Sequence, residues 1–198
     1  MAFALVGPVL GLAMKAASGS TDPVTAPWTG LSGALASWLV AHTVVLAVGT
    51  VPLTVAGAKI VGKGSFMFNN PETFGDAIMA GVGITDQTAR PLYARVGQAI
   101  LDWWQTYAMV DPESTWTPPP PASPPGPISG MGKIKFASKA IGPKLAAAAG
   151  TPDAMSQKGW QGFGESILSA VEEGAEIPGA TFTAPGGGGA VTGTGAIT

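Results

Sequence analysis

The chain contains no cysteine and only one histidine, His42. The lack of thiols excludes disulfides, thiolate metal sites and cysteine nucleophiles. His42 falls on a helical apolar stripe, where a packed structural side chain is the expected role. The acidic pairs Asp111/Glu113 and Glu172/Glu173 have no further metal-ligating residues beside them. The sequence therefore predicts no catalytic residue, no metal site and no cofactor, and we expect a protein that is not an enzyme.

Charge is also scarce, because Asp, Glu, Lys and Arg together make up 11% of the 198 residues and the net charge is −2. No cluster of basic residues is present, so nucleic acid is not an expected partner. Free soluble monomers usually carry more charge on their surfaces. The composition therefore predicts a surface that is largely covered by neighbouring proteins.

What the chain does contain is a pattern written three times. A Gly-x-Gly tail occurs at residues 62–66, 130–134 and 193–197. A short apolar segment that opens on glycine recurs at nearly constant intervals, and so does an aromatic residue that opens a helical stripe. The glycines are Gly7, Gly75 and Gly142, and the aromatic residues are Trp28, Tyr93 and Trp160. Landmarks that recur this steadily indicate an internal repeat.

The aromatic landmarks begin three amphipathic helices, since apolar residues follow at the positions i, i+3, i+4, i+7, i+8 and i+11. Such stripes are typical of helix packing in a core. The stripes are Leu31, Ala34, Leu35, Trp38, Leu39 and His42; Val96, Ala99, Ile100, Trp103, Trp104 and Tyr107; and Phe163, Ser166, Ile167, Ala170, Val171 and Gly174.

Each helix is followed by a different connector. Residues 43–48 and 50–55 are β-branched and partly alternating, which predicts short strands. Residues 118–127 are so rich in proline that they are not expected inside a sheet, and we predict a polyproline II spacer there. Four glycines, residues 186–189, occupy the matching place in the third copy.

The predicted fold is therefore α+β, with three tandem repeats that each contain two short helices plus short β-strands or an extended Gly/Pro-rich connector. The units are residues 1–68, 69–136 and 137–198. Because about 65 residues form a small unit, the three are expected to share a core.

The Gly-x-Gly tails are not nucleotide-binding motifs, because they lack a third glycine and close a unit where a fingerprint would open a helix. We expect them to be strands that act in assembly, by adding to the sheet edges of neighbouring subunits. The candidate assembly residues are Gly62, Gly64 and Phe66; Gly130, Gly132 and Ile134; Gly193, Gly195 and Ile197; and the stripe tryptophans Trp38, Trp103 and Trp104.

Two other classes remain open. Residues 23–58 carry no charge, and residues 2–14 are apolar, so a membrane-associated protein with one or two N-terminal spans is the alternative. Against it, the matching helices in the other copies contain Asp102, Glu165 and Glu172. The proline run also suits a ligand for an aromatic-lined groove on a host protein.

The copies resemble small virion proteins of tailed bacteriophages, in which an amphipathic helix leads into a Pro/Gly-rich connector and a Gly-x-Gly-x-Ile/Val tail. The residues that carry the resemblance are Ala34, Leu35, Trp38, Val44 and Val45; Ala99, Ile100, Trp103, Met109 and Val110; and the ending 193–198. The resemblance implies a structural subunit of the tail, baseplate, neck or capsid surface. Its partners would be other virion proteins and copies of itself, and its location would be the virion, assembled in the host cytoplasm.

Overall fold

A computed structural model describes residues 26–46, 50–51, 64–111, 116–120, 123–186 and 189–198. The predicted apolar segments at residues 2–14, the strands predicted for residues 52–55, and Gly62 lie outside the described residues.

Five α-helices lie within this part of the chain. They are α1 (Ala26–His42), α2 (Phe74–Val82), α3 (Arg90–Tyr107), α4 (Gly142–Ala149) and α5 (Ala154–Gly174). The predicted stripes face the core, and Leu31, Val96 and Ile167 are each at most 1% exposed. The expectation of short helices is wrong for the three that carry the stripes, which run for 17, 18 and 21 residues. Each stripe covers only about three turns, and the helices extend beyond it into exposed residues such as Met155 of α5.

Helices α2 and α3 form one hairpin and α4 and α5 form another, and the first helix of each hairpin ends in the same way. Gly83 closes α2 and Gly150 closes α4, both with a φ angle near +76° that favours glycine. The residue after each glycine donates its N–H at 2.9 Å to a carbonyl five residues back, from Ile84 to Met79 and from Thr151 to Ala146. Helix α2 packs between α1 and α3, and α4 packs between α3 and α5.

Ten strands in the described ranges form antiparallel sheets. They are β1 (Thr43–Leu46), β2 (Thr50–Val51), β3 (Ser65–Phe68), β4 (Ala108–Val110), β5 (Gly126–Pro127), β6 (Met131–Phe136), β7 (Glu176–Pro178), β8 (Phe182–Ala184), β9 (Gly189–Ala190) and β10 (Thr192–Ala196). The sheet orders are β3-β1-β10-β8-β5, β4-β6-β7 and β2-β9. Helices and antiparallel sheets together confirm the α+β class.

The strand that follows each long helix pairs with the next Gly-x-Gly tail along the chain. Strand β1 pairs with β3 so that Val45 lies opposite Phe66, and β4 pairs with β6 so that Val110 lies opposite Ile134. After α5, Glu176 and Thr198 exchange two backbone hydrogen bonds of 3.1 and 2.9 Å.

Further pairings link these strands to one another. Val45 lies opposite Gly195 where β1 meets β10, and Ile177 lies opposite Gly132 where β7 meets β6. Strand β4 lies beside β3. The six strands β1, β3, β4, β6, β7 and β10 thus follow one another around a ring, with apolar side chains from both helices and strands in one continuous core.

One expectation for the connectors needs correction. Gly126 and Pro127 end the proline run and do enter a sheet, as strand β5 paired with β8. Strand β5 is the last strand of its sheet, and an edge position tolerates proline because one side of the strand needs no N–H donor.

Candidate functional site

The apolar residue of each Gly-x-Gly tail faces the core. Phe66 is 6% exposed, Ile134 1% and Ile197 0%. Phe66 and Ile134 lie opposite the buried valines Val45 and Val110. The three tail residues predicted as attachment points therefore serve the interior of this chain.

The tail glycines have two different tasks. Gly64, Gly130 and Gly193 have φ angles of 61°, 90° and 118°, a region that side chains disfavour. Gly132 and Gly195 are instead covered by aromatic rings. A Cβ atom on Gly195 would lie 2.6 Å from Cζ of Phe182, and one on Gly132 would overlap the indole ring of Trp116.

The tails already have strand partners within the chain. Strand β6 lies between β4 and β7, and β10 lies between β1 and β8. Because both neighbours are hydrogen-bonded, these two tails could add to another subunit's sheet only after losing pairs inside this one. The first tail differs from these two, because its strand β3 is an end strand of the sheet β3-β1-β10-β8-β5.

Trp38 and Trp103 fix the loops that follow the nearest tails. The Trp38 Nε1 donates to Oγ1 of Thr73 at 2.8 Å, and the Trp103 Nε1 donates to the carbonyl of Ser138 at 2.9 Å. Trp38 also stacks on His42, with ring centroids 4.6 Å apart. His42 is therefore a packing partner of an aromatic ring.

Trp104 lies at the centre of an aromatic cluster at 0% exposure. Phe66, Phe68 and Phe136 each meet it edge to face, with centroid distances of 6.0, 5.5 and 5.4 Å. Its Nε1 is buried without a hydrogen-bond partner. The cluster joins α3 to β3 and β6 through contacts between aromatic rings.

The segments that connect the helices to the tails in the second and third units contact each other and the strands. The Trp116 Nε1 donates to the carbonyl of Ile177 at 3.1 Å, and Thr117 and Ser129 exchange backbone hydrogen bonds. A Cβ atom on Gly186 would lie 2.5 Å from Oγ of Ser123, so the glycine-rich connector touches the proline-rich one closely. Within the proline run, Ser123 contacts Gly186 and Gly126–Pro127 pair with β8, while Pro120, Pro124, Pro125 and Pro127 are exposed.

Sequence reasoning missed the residues that hold these parts together. Trp116 and Phe182 cover the tail glycines, and Lys133 pairs with Glu176 across β6 and β7 at 3.0 Å. Glu172 accepts the Phe136 backbone N–H at 2.6 Å. The available signal was glycine inside a strand, which indicates close approach by another group.

Hydrogen bonds lower the pKa of the carboxyl groups of Asp76, Asp86 and Asp153. The Arg90 guanidinium hydrogen-bonds Asp76 and lowers the pKa of that carboxyl. Hydrogen bonds from Thr88 and Ser156 lower the pKa of Asp86 and Asp153. These shifts arise from an exposed ion pair and from caps of the turns that start α3 and α5, so they mark local structure.

Within the described ranges, no group of three or more His, Cys, Asp or Glu side chains could hold a metal ion. Among the helices that the structure describes, none combines the length and the apolar character needed to cross a membrane. Comparison with known proteins found no matching family model, no matching curated protein and no matching solved structure.

Proposed function

We propose that this chain is a non-enzymatic structural subunit of a phage virion or tail-like particle, acting by protein–protein assembly. We also propose that it consists of three tandem units, residues 1–68, 69–136 and 137–198, arranged around a pseudo-threefold axis. The three-unit proposal is supported by a strand register that recurs in the same form along the chain, and the assembly proposal by the exposed residues of different chemistry that occupy one matching position of that register.

The pairing within each unit has one register. Val44 lies opposite Met67, and Met109 lies opposite Lys135. Glu176 hydrogen-bonds Thr198 at the matching place. In each case the first residue follows the end of the long helix by two positions and the second follows the apolar tail residue by one. Agreement at this level supports a common ancestor unit.

The pairing between units also has one register. Val45 lies opposite Gly195, and Ile177 lies opposite Gly132, so the second tail glycine faces a buried β-branched residue in both. The helix hairpins support the same units. Gly83 and Gly150 have nearly identical φ angles, and their offset in sequence equals that between the second and third landmark glycines.

One exposed position on the strand ring has the same register in all three units but carries a different side chain in each. The residue after the apolar tail residue is Met67, Lys135 or Thr198. Met67 is 44% exposed, while its strand partner Val44 is half-buried. A chain with three similar faces can occupy a symmetric position in a particle, and different side chains let each face meet a different neighbour. The exposed methionine on the first face is suited to an adaptable apolar contact.

The first test is whether the chain belongs to a particle. Mass spectrometry of purified particles from a phage that carries the gene should detect the chain in a fixed ratio to the major coat protein. Light scattering of the purified chain should give a mass above that of the monomer. A stable monomer that is absent from particles would overturn the proposal.

The second test uses a matched pair of variants. Met67→Lys should weaken self-association or incorporation into particles at least tenfold. The melting temperature should stay unchanged, because a lysine, Lys135, already occupies the same register position in the second unit. The control, Lys135→Met, should leave assembly as it is. Unchanged assembly in Met67→Lys would remove the first face from the proposal.

A further inference from the structure

The five-stranded sheet ends at β5, and residues 117–120 run beside that strand as a further segment, here called the outer arm. Thr117 and Ser129 exchange backbone hydrogen bonds of 2.9 and 3.0 Å, in an antiparallel bridge. A Cβ atom on Gly126 of β5 would lie 3.5 Å from Cγ of Pro119, which is an ordinary van der Waals contact. The outer arm and β5 therefore form a hairpin.

The outer arm lies on the side of β5 that faces away from β8. The Ile128 N–H, directly after β5, donates to the carbonyl of Phe182 in β8 at 3.1 Å. Successive residues of a strand direct their backbone groups to opposite sides, so the groups of Ser129 point away from β8. Because Thr117 bonds those groups, the outer arm takes the position that the next strand of the sheet would occupy.

The outer arm is held in place at both ends. At its start, the Trp116 Nε1 donates to the carbonyl of Ile177 at 3.1 Å. At its end, the carbonyl of Pro120 accepts the Ser123 N–H at 3.2 Å and the Ser123 hydroxyl at 2.7 Å. The position of the outer arm beside β5 is therefore fixed by contacts with other parts of the chain.

The outer arm has no backbone N–H left for a further strand. Residues 118–120 are prolines, which lack this donor. The N–H of Thr117 is already bonded to Ser129. An incoming strand would thus meet carbonyl groups without any donor between them, and an antiparallel ladder needs both. The proline run therefore ends the sheet chemically as well as in space.

Proteins protect sheet edges from pairing with other chains by charged side chains, lysine above all, or by proline. Residues 117–129 contain no charged residue, so this edge relies on proline. We propose that the outer arm prevents a second copy of this chain from adding a strand at the β5 end of the sheet. The proposal depends on neither the virion assignment nor the three-unit arrangement.

The test returns the missing donors. Pro118→Thr/Pro119→Thr/Pro120→Thr should self-associate at a concentration roughly tenfold below that of the wild-type chain, because each new intermolecular hydrogen bond adds to the affinity. Sedimentation equilibrium over a concentration series measures this, with the wild-type state of association as the reference. The control Pro124→Thr/Pro125→Thr removes two exposed prolines from the same hairpin but keeps those of the outer arm, and it should associate as the wild type does.

Pro118→Thr alone is a milder variant that decides the question if the triple variant does not fold. Both backbone groups of Thr117 point to Ser129, so the N–H introduced at position 118 points away from β5. Self-association should shift in the same direction. Hydrogen exchange of this amide, followed by mass spectrometry, should become slower as the protein concentration rises, because the amide is then bonded to a second copy.

Wild-type association in the folded triple variant, or in Pro118→Thr where the triple variant does not fold, would overturn the proposal. An equal increase in the control variant would do the same, because the increase would then come from a looser hairpin. Exchange at position 118 that does not depend on protein concentration would also overturn it.

Discussion

Trp116 lies against the backbone of Gly132, so closely that a Cβ atom on this glycine would overlap the six-membered part of the indole ring. The ring cannot easily retreat, because it is 5% exposed and its Nε1 is bonded to Ile177. Gly132→Ala should therefore lower the free energy of unfolding by about 1–3 kcal/mol, the usual cost of overpacking. Urea unfolding followed by circular dichroism would measure this change.

Gly33 provides the control for that substitution. It lies on the exposed side of α1, and a Cβ atom there would meet nothing within 4 Å. Gly33→Ala should raise the free energy of unfolding by about 0.5–1 kcal/mol, because alanine loses less backbone entropy in a helix. A similar loss of stability in both variants would contradict the packing of Trp116.

Acid should weaken the two helix hairpins through their capping carboxylates. Asp86 accepts the Thr88 N–H and Asp153 accepts the Ser156 N–H, each at 2.9 Å, and hydrogen bonds from these partners lower the pKa of both carboxyls. A lowered folded-state pKa gives a stabilising contribution that is present above the unfolded pKa of about 3.9 and is lost as the pH falls through the folded value. The melting temperature should therefore fall between about pH 5 and pH 2 partly because these caps are lost.

The double variant Asp86→Asn/Asp153→Asn separates this effect from general acid unfolding. Asparagine keeps an acceptor oxygen at the cap but does not titrate. Calorimetry of both proteins across this range should show a shallower decline for the variant. Parallel curves would exclude the caps as a source of the acid sensitivity.

The sequence predicted the buried stripes of the three long helices, though not the length of those helices, because a stripe is a local signal. The spacing of Val96, Ile100 and Trp104 on one face requires no knowledge of the partner, and all three residues are buried. The capping aspartates carry a similar local signal, since Asp153 stands directly before α5 with a hydroxyl residue three positions on.

The candidate site was less accessible to sequence reasoning because its contacts join distant parts of the chain. The recurring tails correctly indicated strands, but their partners depend on pairings such as Val45 with Gly195, which belong to the first and last of the predicted units. Glycine at position 132 indicated a close approach without identifying Trp116 as the group that approaches. The sequence pattern of a strand does not show whether the strand is unpaired or is paired with a distant segment of the chain. The tails were for this reason predicted to add to the sheets of other subunits.

Trp104 should be the most sensitive of the tryptophans to truncation. It is fully buried and meets three phenylalanines, so Trp104→Ala would leave a large cavity between α3 and the strands. We expect a loss of about 3–5 kcal/mol in the free energy of unfolding. The neighbouring Gln105 is exposed, and Gln105→Ala should change it by no more than about 0.5 kcal/mol. If Trp104→Ala and Gln105→Ala lowered the free energy of unfolding by similar amounts in chemical denaturation, Trp104 would not be the centre of the core.

The ion pair between Lys133 and Glu176 should contribute to the choice of register between β6 and β7. The two residues lie directly opposite each other and their charged atoms are 3.0 Å apart, with both side chains partly exposed. Lys133→Glu would set two carboxylates across the strand pair and should cost about 0.2–1 kcal/mol. The exchanged variant Lys133→Glu/Glu176→Lys should recover most of that loss at low salt.

In 1 M salt the stabilities of the single and exchanged variants should converge, because the Debye length is then about 3 Å. Thermal unfolding of the three proteins at both salt concentrations would measure the coupling, and its absence at low salt would mean that backbone pairing and the buried Ile177 alone set the register.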